Sequence, residues 1–362
     1  MPRISYAGRN RQTVNYLKTI YFDYPEWTPC HVSLMPATWM KYREALEEVV
    51  LAHPRIFPGY VKGSRDFDRI DFPLYERGQH VDCWGTVWEN IERGLDSMPV
   101  SYPLADWAAL EHYRWPDPLK DDAFGPRPDW EEVRRALANA KAQGGLAWGG
   151  GLQHGFMYMR LFYLRGFENL MTDMATEDPR LWQIIEHVEA YNRAVINKYL
   201  ELGAEIIGLG DDLGMQASLP ISPAMWRKFI KPSYDRMLQP CRAAEVPVSL
   251  HTDGHILEII PDLIEVGVTV LNPQIRANGL AGLVEMARGK VALVQDLDRQ
   301  LFPFATPAEI EEHIGEVFEA LYLPQGGLIL SAEAEPDVPL ANIDAICTIL
   351  EKICRPPLLD PR

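Results

Sequence analysis

The residues with the clearest chemical potential follow an apolar segment at 246–250. That segment is typical of a buried strand, and the polar sequence HTDG comes directly after it at 251–254. Alternate side chains of an extended segment point to the same side, so we expect His251 and Asp253 to face one site. An imidazole beside a carboxylate can transfer a proton or bind a metal ion, although a single histidine at a strand end is more often a packing residue. The functional interpretation therefore depends on whether similar residues follow other strands.

Polar side chains do follow the other predicted strands. Strands are predicted at 204–210, 268–271, 291–294 and 327–331, and the polar residues just beyond them are Asp211 and Asp212, Asn272 and Gln274, Gln295, and Glu333 and Glu335. The carboxyl ends of parallel strands open on one face, where catalytic residues are placed. We therefore expect these side chains to share a rim, where the amides and Asp211 would line a substrate pocket.

A rim with one histidine and several carboxylates suits two kinds of chemistry. His251 would bind a metal ion through a neutral ring nitrogen, with Asp253 as a second ligand or as the partner that orients the ring. Without a metal ion, Asp212 and His251 would act as a general acid and base. Each of these residues could instead be a turn former or a helix cap, since loops are polar in most proteins.

Strands and helices alternate from Gly144 onwards. Further strands are predicted at 31–36 and 146–149, and helices are predicted at 129–142, 157–175, 178–202, 223–244, 255–266, 280–287, 307–321 and 340–353. A strand-then-helix order predicts parallel pairing, and the number of units favours a (β/α)8 TIM barrel over an open α/β sheet. We expect a single domain over residues 1–362.

The front section, up to about residue 140, is expected to supply the first barrel elements and an N-terminal elaboration that caps the mouth. Between 54 and 128 it is rich in Pro, Gly, Trp and Tyr, which is typical of turns and short elements. Aromatic side chains could line a pocket for a flat, apolar substrate. Trp84, His154 and Tyr158 are the predicted pocket residues of this kind, although core packing is the commoner role for each.

Composition and charge exclude several classes of partner. The formal net charge is -16, so we expect neither nucleic acid nor an anionic membrane surface to bind. The sequence has no apolar run near the roughly 18 residues of a membrane span, and its N-terminus lacks the apolar core of a secretion signal, which predicts a cytoplasmic protein. Five scattered cysteines without a CxxC pair fit reduced thiols. A glycine fingerprint for a nucleotide is absent.

Several motifs resemble those of the uroporphyrinogen decarboxylase superfamily. They are LRGFENLM at 164–171, GDDLGMQASLPISP at 210–223, MWRKFIKPSY at 225–234, HTDGHILEIIPDLIEVGVTVLNPQ at 251–274 and PDVPLANI at 336–343. In combination these motifs are specific, and the resemblance covers most of the chain. It implies a distorted (β/α)8 barrel, which agrees with the strand and helix pattern.

The resemblance implies two possible chemistries. The superfamily contains porphyrinogen decarboxylases and methyltransferases that pass a methyl group between a small substrate, a corrinoid protein and a thiol or tetrahydrofolate acceptor. The arginine-rich N-terminal motif of the decarboxylases is absent, and RNRQ at 9–12 is a poor match. The aromatic front section resembles the corrinoid-dependent methyltransferases of O-demethylase systems. The resemblance therefore predicts transfer of a methyl group from a small methylated substrate, such as an aryl methyl ether, to a separate corrinoid protein that supplies the cobalamin.

The chain departs from the zinc methyltransferases of this superfamily at the metal ligands. Their His-x-Cys motif corresponds to His251 and Asp253 here, and their later Cys falls near Ala334. A thiol-activating zinc site is therefore not expected. A harder zinc site, in which Glu333 or Glu335 completes the set with His251 and Asp253, is the prediction, and the superfamily also implies a homodimer.

Two other functions stay open from the sequence. A lyase that decarboxylates a small acid would use Asp212 and His251 with neither metal nor corrinoid. A binding protein built on an enzyme-derived barrel would keep its ligand after loss of His251 and would show no turnover.

Overall fold

The computed structural model describes residues 4–122, 125–126, 129–152, 155–355 and 357–358. Its strands, in chain order, are β1 (Cys30–Leu34), β2 (Gly78–Val81), β3 (Val87–Asn90), β4 (Met98–Ser101), β5 (Asp121–Asp122), β6 (Gly125–Pro126), β7 (Trp148–Leu152), β8 (Ile206–Gly210), β9 (Val248–Thr252), β10 (Val270–Pro273), β11 (Ala292–Asp296) and β12 (Leu328–Ala334). Its α-helices are α1 (Arg11–Ile20), α2 (Pro36–Ala52), α3 (Trp130–Ala142), α4 (Tyr158–Arg165), α5 (Phe167–Thr176), α6 (Pro179–Glu201), α7 (Pro223–Met225), α8 (Lys231–Ala244), α9 (Ile260–Val266), α10 (Ile275–Asn278), α11 (Leu280–Met286), α12 (Pro307–Leu321) and α13 (Leu340–Cys354).

Two compact units divide the chain. Unit 1 comprises Met1–Val14, Gly78–Glu89 and Met98–Pro273, and unit 2 comprises Asn15–Arg77, Asn90–Ser97 and Gln274–Arg362. The expectation of one domain over 1–362 stays a prediction.

Unit 1 contains four parallel strands in the order β10-β9-β8-β7. The apolar residues of β8 are buried, as expected for a parallel strand that is covered on both faces. Helices α6 and α8 pack against each other beside these strands. The register pairs Gly210 of β8 with His251 of β9, and His251 with Asn272 of β10. Three neighbouring strands thus end at one level, which brings the residues beyond them together.

Unit 2 contains three parallel strands in the order β1-β12-β11. Cys30 of β1 pairs with Leu330 of β12, and Leu293 of β11 pairs with Leu328 of β12. Helix α13 packs on α12 and α2. The strand predicted at 31–36 is therefore confirmed as a parallel strand, and the sheet neighbour it finds is the last strand of the chain.

The predicted strand-helix alternation is confirmed as an α/β fold with parallel strands. Helix α12 has the predicted bounds, because Thr306 and Glu309 form a reciprocal capping box and Pro307 occupies the first turn. The described residues contain seven parallel strands, whereas a (β/α)8 barrel needs eight. Between 78 and 101 the chain forms the small sheet β2-β3-β4 instead, and β3 and β4 pair antiparallel. Its short, Pro- and Gly-punctuated sequence favours such ribbons over a long parallel strand.

Two predicted helices are interrupted. The helix expected at 157–175 is split into α4 and α5 by Gly166, which has a φ of +79°. The helix expected at 223–244 begins with α7, continues as a π-helical turn at Trp226–Ile230 and ends as α8. Pro232 has no backbone N–H, so the regular α-helical bond of that residue cannot form there.

The helices within the described residues include none that is both long and apolar enough to cross a lipid bilayer.

Candidate functional site

The ring of His251 is oriented by a residue on the neighbouring strand. Nδ1 of His251 lies 2.8 Å from Oδ1 of Asn272, its register partner on β10. An amide oxygen only accepts hydrogen bonds, so Nδ1 carries the ring hydrogen and donates it. The lone pair of the neutral ring is then on Nε2.

Nε2 of His251 faces a carboxylate. It lies 3.3 Å from Oδ1 of Asp253, and both side chains are about one-third exposed, at 31% and 29%. A ring nitrogen and a carboxylate oxygen both present lone pairs, so this approach is favourable only with a proton or a cation between them. The pair can therefore share a proton or bind a positive ion.

Asp212 joins this pair from the end of β8. Its Oδ1 accepts a hydrogen bond of 3.2 Å from the backbone N–H of Asp253. One ligand atom each of Asp212, His251 and Asp253 lies within 4.8 Å of the other two. A single ion that holds nitrogen and oxygen ligands at about 2.1 Å spans about 4 Å, so the three donors fit a divalent cation after small side-chain movements. The structure thus brings together the three residues that the sequence analysis predicted to be catalytic.

Two glycines, which the sequence analysis did not identify, hold the loops that carry these residues. A Cβ on Gly254, where φ is +82°, would lie 2.2 Å from the carbonyl carbon of Gly214, and a Cβ on Gly214 would lie 2.3 Å from the nitrogen of His255. The N–H of Gly214 donates to the carbonyl oxygen of Asp253 at 3.1 Å. The loops after β8 and β9 therefore cross in direct backbone contact. The sequence did contain a signal for these glycines. Gly214 follows Asp212 by two positions in DDLG, and Gly254 follows Asp253 directly in HTDG.

Asp211 has a different environment from Asp212. Its carboxylate is fully buried and accepts hydrogen bonds from the backbone N–H groups of Met157, Tyr158 and Met159 at 3.1, 2.8 and 2.8 Å, and from the Tyr234 hydroxyl at 2.8 Å. Burial outweighs these bonds and raises the pKa of Asp211 to about 6. These bonds hold the first turn of α4, and the predicted place of Asp211 in a substrate pocket stays a prediction.

A buried ion pair supports the same helix. Nη1 of Arg160 donates to Oδ2 of Asp82 at 2.9 Å, and both side chains are almost fully buried. The guanidinium lies over the rings of Trp84 and Tyr163, at 5.0 and 5.4 Å from their centroids. Burial, and then the charge of Asp212, raise the pKa of Tyr163. The aromatic cluster therefore lies within the electrostatic field of Asp212.

The predicted aromatic pocket residues are mostly core residues by exposure. Trp84 is 3% exposed and Tyr158 is 4% exposed, while His154 lies outside the described residues. Burial raises the pKa of the Tyr158 hydroxyl, with Asp211 as a second cause. Their role in a pocket stays a prediction.

Four other predicted residues belong to unit 2. Glu333 accepts a hydrogen bond of 2.7 Å from Arg299, and Glu335 lies 3.8 Å from that guanidinium. Burial raises the pKa of Glu335, and Arg299 opposes the change. Gln295 is fully buried and donates to the Asp296 carbonyl at 3.0 Å, and the backbone carbonyl of Gln274 accepts from Asn278 at 2.8 Å. Participation of Glu333 or Glu335 in a metal site stays a prediction.

The parallel strands define an α/β fold, and the histidine–carboxylate group lies beyond their carboxyl ends, where proteins of this class commonly place their functional residues. The family described as uroporphyrinogen decarboxylase (URO-D) matches residues 106–353, more than half of the 362 residues. The chain belongs to this family.

Solved structures with a similar fold include a methyltransferase from Methanosarcina mazei. Its TM-score is 0.63 at 17% sequence identity, and the similarity covers 94% of this chain and 98% of that chain. A B12-independent methionine synthase from Shewanella sp. W3-18-1 has a TM-score of 0.39 at 11% identity, with 64% of this chain and 70% of that chain covered. At 17% identity the similarity to the Methanosarcina mazei methyltransferase shows the fold alone. The curated proteins gave no match.

Proposed function

We propose that this protein is a methyltransferase component that takes a methyl group from a small methylated substrate, such as an aryl methyl ether, and passes it to a separate corrinoid protein. The observation that carries the proposal is that ligand atoms of His251, Asp253 and Asp212 converge, with Nε2 of His251 3.3 Å from Asp253. Membership of the URO-D family and a fold shared with the Methanosarcina mazei methyltransferase support methyl transfer.

The donor set fits a borderline divalent cation such as zinc, which accepts nitrogen and oxygen ligands. It offers one imidazole nitrogen and two carboxylates, where the zinc methyltransferases of the superfamily offer thiolates. A bound zinc ion would act as a Lewis acid on an oxygen. His251 and Asp253 would hold it, while the N–H of Asp253 keeps the Asp212 carboxylate in place. Such a site suits an ether, whose leaving atom is oxygen.

The group transfer places specific demands on the residues. The bond between the methyl carbon and the ether oxygen would break, the oxygen would keep that electron pair and take up a proton, and the corrinoid of the partner protein would supply the electron pair that accepts the methyl carbon. In the absence of a metal ion, His251 and Asp253 would deliver this proton, because their side chains lie 3.3 Å apart and can take up a proton between them.

The same group of residues supports a second candidate, a metal-free lyase. In that reaction a carboxylate carbon would leave as carbon dioxide, and the remaining carbon would keep the electron pair and take a proton from the acid–base pair of Asp212 and His251. The description of the family favours this reaction class.

The finer architecture predicted from the sequence belongs to this proposal. It comprises a closed, distorted (β/α)8 barrel whose mouth the front section caps, a homodimer, and a cytoplasmic location.

The deciding experiment is metal content per chain by inductively coupled plasma mass spectrometry. We compare the wild type, His251→Ala and the exposed control His112→Ala, all purified without added metal. The proposal expects about one zinc per chain in the wild type and the control, and none in His251→Ala.

The same proteins are then mixed with cob(I)alamin and a panel of methoxylated aromatic compounds, and methylation is followed by absorbance. Methylation that His251→Ala abolishes supports the proposal. Absence of metal together with carbon dioxide release from a small acid replaces it with the lyase.

A further inference from the structure

We infer that Asn272 is a positioning residue that selects the tautomer of His251 and so directs Nε2 to the site; its benefit for metal binding rests on the proposed function. The contact that carries the inference is the 2.8 Å hydrogen bond between Nδ1 of His251 and Oδ1 of Asn272.

The backbone fixes this contact from both sides. His251 and Asn272 are register partners on β9 and β10, and Leu250 and Leu271, which precede them, pair with each other and are fully buried. The side chain of Asn272 therefore starts from a Cα that the parallel ladder places beside that of His251. A hydrogen-bond partner on this strand orients the ring with little freedom to move.

The tautomer decides what His251 can do. With the hydrogen on Nδ1, the lone pair of Nε2 points toward Asp253, and the group can bind a cation or accept a proton. With the hydrogen on Nε2, the ring would only donate to Asp253 and could not bind a metal there. The hydrogen bond to Asn272 holds the hydrogen on Nδ1, the side away from Asp253.

The side-chain amide of Asn272 orients the ring of His251 without adding charge to the site. Asp212 and Asp253 already supply two negative charges to the group. A neutral acceptor at position 272 orients the ring and leaves the charge of the site to the two carboxylates. The inference therefore explains why an amide suffices where many metal-binding histidines are oriented by a carboxylate.

The test reads the tautomer directly in the metal-free protein. Long-range 1H–15N correlation spectra of 15N-histidine-labelled protein distinguish the protonated ring nitrogen from the unprotonated one, and the His251 signals are those lost in His251→Ala. We expect the hydrogen on Nδ1 in the wild type and in Asn272→Asp, which keeps an acceptor. Asn272→Leu, which has a similar volume and no acceptor, should lose this preference. Asn139→Leu, at an exposed helix position, serves as the control.

Zinc titration calorimetry gives the second readout. Asn272→Leu should bind zinc 10- to 100-fold more weakly than the wild type, while Asn272→Asp stays within a few-fold, as for other partners of metal-bound histidines. Urea unfolding of each variant shows whether the fold is retained.

The outcomes separate this inference from the proposed function. A tautomer that changes in Asn272→Leu, in a wild type that binds no zinc, supports the positioning role and removes the metal site. Zinc binding and a tautomer that are both unchanged in Asn272→Leu overturn the inference and leave the proposed function standing. A wild-type hydrogen on Nε2 also overturns it.

Discussion

Asp211 and Asp212 are adjacent in the sequence, yet their surroundings give them different chemistry. Side chains that follow a strand alternate in direction, so Asp211 points to the start of α4 while Asp212 points to His251 and Asp253. The Asp211 carboxylate is fully buried, whereas the Asp212 carboxylate is partly exposed and can contact a ligand. Position after a strand therefore identifies candidates, and burial decides between them.

Asp211 gives the unfolding free energy a specific pH dependence. Its pKa is raised to about 6 in the folded protein, whereas a carboxyl in an unfolded chain titrates near about 3.9. The folded state binds this proton more tightly, so the contribution to stability is fully present below about pH 4 and is lost as pH rises through about 6. The loss amounts to ~3 kcal/mol by neutral pH.

Asp211→Asn should remove this dependence. We expect a lower stability, because the amide NH2 would face backbone N–H donors, and a flatter profile of unfolding free energy between about pH 4 and 6. Urea unfolding at several pH values measures this profile of the unfolding free energy. The control Asp71→Asn, at an exposed position, should keep the wild-type profile. An unchanged slope in Asp211→Asn would show that Asp211 titrates normally.

The residues of the site differ in how far the sequence could predict them. His251 and Asp253 were predictable because they share one segment, where spacing of two fixes a common side. The tautomer of His251 could not be predicted from the sequence, because it depends on Asn272, which lies 21 positions away. The Arg160–Asp82 pair spans 78 positions, and local patterns contain nothing about such a contact.

At the scale of elements, the loops after β8 and β9 act as one support. The hydrogen bond from Gly214 to Asp253 and the bond of 2.8 Å from His255 to Met215 join them on both sides of the crossing. Any Cβ at Gly254 would overlap backbone atoms, which cannot move away as a flexible side chain can.

Gly254→Ala should therefore separate the two loops. The positive φ and the overlap predict a loss of about 2–4 kcal/mol of unfolding free energy, together with loss of zinc binding, since Asp212 and Asp253 lie on different loops. Gly315→Ala is the matched control: this glycine lies in α12 with open space around its Cβ position. It should be neutral or gain ~0.5–1 kcal/mol. Equal stability and metal content in both variants would contradict the role of the crossing.

The fold was predictable where local sequence and tertiary structure agree. Helix α12 carries its own caps, and the apolar β8 specifies a covered strand. The break at Gly166 and the π-helical turn before Pro232 occur inside apolar periodic segments, where periodicity alone predicts a continuous helix. The short strands between 78 and 101 agree with the turns and short elements expected from the composition of 54–128, but their pairing in the sheet β2-β3-β4 joins segments that no local pattern links.

At the scale of the whole molecule, we expect the negative charge to oppose non-specific association between copies. The net charge is -16, with a sequence pI near 5.0. Repulsion between copies should dominate at neutral pH and low salt, and it should vanish near pH 5, where the charges balance.

The second virial coefficient from static light scattering measures this repulsion. We expect a strongly positive value at about pH 7.5 and low salt, a fall toward zero near pH 5, and a decrease as added salt screens the charges. A variant with Glu44→Gln, Glu168→Gln and Glu319→Gln, all at exposed positions, should lose repulsion at a higher pH than the wild type. Removing both members of the exposed pair Lys62–Glu48 leaves the net charge unchanged and should leave the profile unchanged. If that double variant and the triple variant behave alike, specific surface contacts and not net charge govern the association.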